Sequence, residues 1–127
     1  MQGNHLFEYA VIRVVPRVER EEFLNVGVIL YSRKQNFLQA LYKLDKTKLK
    51  AFSENIDIAE VEEHLLSIER ICKGGADSGA IGKFDMASRF RWLTATRSTV
   101  VQTSKVHPGF CDNPGEAIQK LFAQLVL

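Results

Sequence analysis

The sequence predicts an α+β fold: a mostly antiparallel sheet of about five strands with two to three helices packed on it, in the order β-β-β-α-α-β-β-α. Three observations predict it. Residues 7–44 contain short runs rich in β-branched and aromatic side chains, separated by charged or polar reversals. Two later segments open on a capping side chain and continue with apolar residues at spacings of three and four. Finally, a parallel strand pair requires a helical crossover of about a dozen residues or more. Only the stretch between the third and fourth strands is long enough for one.

The elements follow in order. Phe7 to Val15 (FEYAVIRVV) is apolar on both faces, the mark of a central strand, and Pro16 stops it. Arg17 to Glu22 is a charged turn or a single helical turn. Val26 to Tyr31 and Phe37 to Leu44 are the second and third strands, joined by the polar SRKQN loop. Asp45 can cap a short helix that turns Leu49 and Phe52 inward. Asp57 and Glu60 stand in capping-box relation before an apolar stripe of Ile58, Val61, Leu65, Ile68 and Cys72. Gly74 and Gly75 end that helix. After a glycine-rich connection, Arg89 to Val106 reads as a β-hairpin, with Arg89 and Arg91 alternating with Phe90 and Trp92. Asn113, Pro114 and Glu116 start the last helix, which turns Ile118, Leu121, Phe122 and Leu125 inward.

A chain of 127 residues is the size of a single domain, here 1–127, and can bury roughly two thirds of its extended surface. Its net charge of +2 is too mild to mark a dedicated nucleic-acid binder. Cys72 and Cys111 form no CxxC pair, the opening residues resemble no secretory leader, and no apolar run is long enough to span a membrane. A cytoplasmic protein with reduced thiols is the expectation. His5, His64 and His107 are scattered, so neither a metal site nor a cofactor is expected.

Several residues invite chemistry. The connection GGADSGAIGK is not a phosphate loop, because Asp77 stands where the pattern needs glycine and Phe84 where it needs Ser or Thr. Arg13 shares a strand face with Tyr9, Val11 and Val15, so a buried guanidinium there needs an oxygen partner. Glu22 is the expected one, as a structural ion pair or as part of a ligand site. Gly27 inside a strand indicates a bulge or a close backbone approach, and Asn25 can cap a turn or face a cleft. Arg89, Arg91 and Arg97 offer planar forks for carboxylate or phosphate, with Ser98 and Thr99 beside them. Arg97, Ser98 and Thr99 are expected to form one polar patch with Asn25 and Glu22 at a sheet end. Cys111 and His107 are close in sequence, but CDNP reads as a helix start, which favours a structural cysteine.

The segments EYAVIRVVPRVEREEFLNVGVILY and RFRWLTATRSTVVQTSKVHPGF, with CDNP and the final helix, resemble the bacterial domain of unknown function numbered 3037. The family pattern places its hallmark residues on Arg13, Glu22, Asn25, Gly27, Arg89, Arg97, Ser98, Thr99 and His107. Where members carry a glycine before the hallmark glutamate, this chain has Glu21. The resemblance implies no reaction. It does imply a small accessory protein, encoded beside HipA-like serine/threonine kinases, that docks on such a kinase. The leading expectation is therefore a non-enzymatic binding module. The alternatives are an anion or nucleic-acid binder built on the hairpin arginines and, more weakly, an enzyme using Glu22 with His107 or an arginine cluster.

Overall fold

The strand that is apolar on both faces occupies the middle of the sheet. In the computed structural model, which describes residues 3–16, 22–97 and 99–127, β1 (His5–Val14) pairs with β2 (Leu24–Ser32) along one edge. Along its other edge it pairs with β4 (Val101–Thr103) and β5 (His107–Cys111). β3 (Phe37–Tyr42) lies on the far side of β2, and every described pairing is antiparallel. Of the charged turn expected at Arg17 to Glu22, residues 17–21 lie outside the described residues.

β4 and β5 are successive parts of one path along β1. Ile12 pairs with Thr103 and Tyr9 with His107, so Ser104, Lys105 and Val106 stand opposite Ala10 and Val11. The extra residue makes a bulge. Ser104 closes it: its N–H donates to the Val11 carbonyl and its Oγ accepts from the Val11 N–H, both at 2.8 Å. Gly109 lies opposite Phe7, and a Cβ there would come within 2.4 Å of the Phe7 ring. A second irregularity falls where Ile12 pairs with Gly27 and Arg13 with Asn25. Gly27 is the close approach its place in a strand implies, since a Cβ would lie 2.6 Å from the Leu41 carbonyl oxygen.

Strand alternation assigns side chains to two packed faces. Ile12, Val14, Ile29 and Tyr31 face a core formed with α1 (Lys46–Phe52), α2 (Ile58–Lys73) and α3 (Met86–Leu93). Phe7, Val28 and Leu30 face α4 (Pro114–Leu125) across the other core. The caps form as the sequence implies. Asp45 accepts from the Lys48 N–H at 3.0 Å, Asp57 from Glu60 at 3.2 Å and Asn113 from Glu116 at 3.1 Å. Val61, Leu65 and Cys72 of α2 are buried, Ile71 joins them, and Ile58 and Ile68 are partly buried.

The expected hairpin of residues 89–106 is a misreading. Residues 86–93 are helical, which gives four helices rather than two to three, and only the later residues are strand. The reason lies just upstream. The Asp85 carboxylate accepts from the Ser88 N–H at 2.7 Å and starts the helix. Met86, Phe90 and Leu93, at helical spacing, then reach the core. Four residues of alternating arginine and aromatic are too few to outweigh that cap and stripe.

Leu65 is 1% exposed. Leu65→Ala is expected to cost about 2–5 kcal/mol in urea or guanidinium melts.

Burial pushes the Cys72 thiol from 9.0 up to about 12, so the folded state favours the neutral form. The stability this group contributes is complete below its unfolded value near 9 and is lost as pH rises from there toward 12. Denaturant melts across that alkaline range should show stability falling with pH, and Cys72→Ala should flatten the slope.

Candidate functional site

The three arginines expected to gather on a hairpin are separated and engaged. Arg89 is buried on α3 and faces the C-terminal end of α2. Its Nη1 donates to the Ile71 and Cys72 carbonyls, both at 2.8 Å, and its Nε to the Phe84 carbonyl at 3.1 Å. A cation there satisfies helix-end carbonyls and opposes the negative end of the helix dipole. Gly74, at φ 73°, leaves room for it, since a Cβ would lie 2.9 Å from Arg89 Nη1. Arg91 pairs with Glu8 at 3.2 Å on the outside of the fold. Arg97 lies 4.1 Å above the Trp92 ring and donates to the Trp92 and Leu93 carbonyls at the end of α3. Thr99 Oγ1 donates to the Val101 carbonyl at 2.7 Å, and Ser98 lies outside the described residues.

Arg13 is different. Asn25 pairs with it on β2 and Gln102 on β4, so the three side chains form a row on the α4 face of the sheet. Its guanidinium carbon lies 3.9 Å above the ring of Phe23, which is 46% exposed. Its Nε is buried with no hydrogen-bond partner. Asn25 donates from Nδ2 to the Leu125 carbonyl at the end of α4, at 3.2 Å, while its Oδ1 is buried and also unpartnered. Gln102 Nε2 donates to the Thr99 carbonyl at 2.8 Å.

Arg13 stacks on Phe23, which has the parity of Asn25, Arg13's strand partner. One expectation is corrected here: the single patch joining Arg97 and Thr99 to Asn25 and Glu22 does not form. Arg97 is held by α3 on one side of the sheet and Asn25 by α4 on the other. The position read as a hairpin tip is the exit of a helix.

On the Arg13 face, the ring of His107 lies 5.4 Å from that of Tyr9, and Tyr9 lies 6.1 Å from Phe7. A groove of about 540 Å³ opens between the Phe7 end of this row and α4, lined by Phe7, Cys111, Ala117, Lys120, Leu121 and Gln124. α4 packs chiefly on β2 and β3, leaving the outer strands beside this groove more open. Cys111 pairs across strands with His5, not with His107, and its thiol lies 3.7 Å from Gln35 Oε1. Burial, with Asp112 beside it, pushes that thiol upward, away from the nucleophilic thiolate. Among the described residues, no group of three or more His, Cys, Asp or Glu is placed to hold a metal ion, and no helix is long and apolar enough to cross a membrane. Alternation places Tyr9 on the Arg13 face, and Gln102 reaches Arg13 through the pairing of β1 with β4. Phe23 joins by stacking under Arg13, and nothing local in the sequence marks it.

Fold and site together describe an antiparallel sheet with helices on both faces, one of them partly open beside α4. The family model described as "Protein of unknown function (DUF3037)" matches residues 9–126, and the chain belongs to that family. Comparison with curated proteins and with solved structures gives no match.

Arg89 and Arg91 should separate cleanly in urea melts. Arg89→Ala, which strips three carbonyls of a charged donor, is expected to cost about 2–4 kcal/mol. Arg91→Ala, which removes an exposed ion pair, should cost less than about 1 kcal/mol.

Proposed function

We propose that the chain is a cytoplasmic accessory module that docks a protein partner on the open part of its α4 face. One observation carries this reading: the groove beside α4 and the Arg13 corner share that face, and the corner keeps buried polar atoms without partners next to an exposed aromatic ring. The three other arginines singled out by the sequence are engaged in holding the fold. Arg89 and Arg97 bind helix-end carbonyls, Arg91 binds Glu8, and the two free thiols are buried on opposite faces of the sheet. Aromatic and arginine side chains at a partly covered surface are the usual anchors of protein interfaces. Two free cysteines fit a reducing compartment. The family resemblance supplies the candidate partner, a HipA-like serine/threonine kinase. The anion or nucleic-acid reading loses support because the arginines it would use are dispersed and occupied.

Co-expression with the HipA-like kinase of the same host, followed by calorimetry of the purified pair, tests the reading. A stoichiometric complex is expected, weakened by Gln124→Arg and by Lys120→Glu, both exposed groove residues, while melting temperatures stay nearly unchanged. Undiminished affinity in both variants, or no heat of binding at about 100 μM protein, would remove this proposal. Binding to DNA that collapses with added salt would point to the nucleic-acid reading instead.

A further inference from the structure

We propose that the outer edge of β5 pairs with the same edge of a second copy of this chain, about a two-fold axis at Phe110, joining two five-stranded sheets into one. The direction of the backbone groups supports this. The Val15 N–H donates to the Val100 carbonyl, and the Val11 N–H and carbonyl both bond Ser104. The odd residues of β1 therefore turn their backbone groups toward β4 and β5. Antiparallel pairs alternate between bonded and unbonded. Phe7 with Gly109 and Tyr9 with His107 are thus the bonded pairs, and Leu6 with Phe110 and Glu8 with Pro108 the unbonded ones. Pro108, which lacks an N–H, falls where β1 asks for none. Phe110 points both its N–H and its carbonyl away from β1. Among the described residues no strand pairs with that edge, and β5 packs chiefly on β1.

The edge fits its own copy better than an arbitrary strand. Proline on an edge strand is a device against pairing, because a strand laid beside it leaves one carbonyl without a donor. A two-fold axis at Phe110 sets Asp112 of the second copy opposite Pro108. The Asp112 carbonyl already accepts from Gln35 Nε2 at 2.7 Å, so no carbonyl is stranded in that register. At the axis, Phe110 exchanges both of its bonds with Phe110 of the second copy. The side chains agree with the backbone. Leu6 and Phe110 are 49% and 55% exposed, and as an unbonded pair they stand close together on one face. Across the axis they make a continuous apolar row of Leu6, Phe110, Phe110 and Leu6, which shields these exposed side chains from water. The remaining facing pairs are Gly109 with Cys111 and Pro108 with Asp112, so no two like charges meet. An edge this short gives a weak dimer rather than an obligate one. Because the axis stands perpendicular to the sheet, the grooves beside α4 in both copies open on the same side.

Sedimentation equilibrium and amide hydrogen exchange, both run from about 5 to about 500 μM protein, test the proposal. The mass should rise from monomer to dimer over that range. Exchange of the Phe110 N–H should slow about fivefold in step with it, as a dissociation constant of about 50 μM requires. The Gly109 N–H, which faces β1, should exchange slowly throughout. Phe110→Lys sets two cations against each other at an exposed position and should weaken association about tenfold or more, with the dilute protein melting nearly as before. Phe110→Leu keeps the backbone bonds and an apolar contact, and should lose less than about threefold. The exchange pattern of the unaltered protein decides the matter if the lysine variant fails to fold. A monomer at about 500 μM, or a dimer whose Phe110 N–H exchanges as fast as in the monomer, overturns the proposal. So does a dimer that Phe110→Lys leaves at full strength. Protection of the Phe110 N–H that appears only when the kinase is added would assign the edge to a strand of that partner and overturn self-pairing.

Discussion

β1 is paired along both edges, so each of its side chains is committed to one packed face or the other. Ile12 and Val14 go to one core and Phe7 to the other. That commitment carries through the sheet, because β2, β4 and β5 all take their register from β1. A slip of one residue would turn every one of these side chains to the wrong face. It would also bring Arg13 into the apolar core under α2 and α3. The two bulges on neighbouring strands take up the irregularities and leave the alternation of β1 unbroken, which keeps Arg13 on the more open side.

The second constraint is electrostatic. α2 ends where the chain must turn sharply into the glycine-rich connection, and its last carbonyls would otherwise be left without donors in a partly buried place. Arg89 reaches across from α3 to meet them, and Gly74, bare of a side chain, lets it approach. A neutral donor of the same reach would satisfy the hydrogen bonds but would not oppose the helix dipole. This explains why an arginine stands in the buried face of a short helix. It also shows that its conspicuousness in the sequence reflects a structural duty.

Most of the fold was legible because its signals are local. Asp45, Asp57 and Asn113 reveal their helices through bonds to an N–H three residues on, and the alternation in residues 7–31 reveals central strands. The misread segment failed for the same kind of reason. Asp85 and Ser88 carried the helix start, but they lay in what looked like a loop, while Arg-Phe-Arg-Trp imitated a strand over four residues. β5 was hidden because His107-Pro108-Gly109 has poor strand propensity. Its place depends on Phe7, whose ring fills the space over Gly109. The oddity of Arg13 was visible in the sequence, but its neighbours were not. Gln102 and Asn25 meet it only through pairings distant in sequence, and the stacking of Phe23 follows from which residue of β2 is set opposite Arg13.

The Arg13 corner costs the folded state something. A buried donor or acceptor left unsatisfied loses about 1–3 kcal/mol relative to one that is paired, and two such atoms stand side by side. Apolar residues at both strand positions would remove that cost, since neither atom holds the sheet together, although Asn25 would forfeit its bond to Leu125. The stacking of the Arg13 guanidinium on the Phe23 ring offsets part of that cost. The same arithmetic separates Arg13 from Arg89. Arg89 donates to three carbonyls within the chain and contributes to stability through them, whereas the Arg13 Nε–H is buried without an acceptor and the group draws on an aromatic face instead.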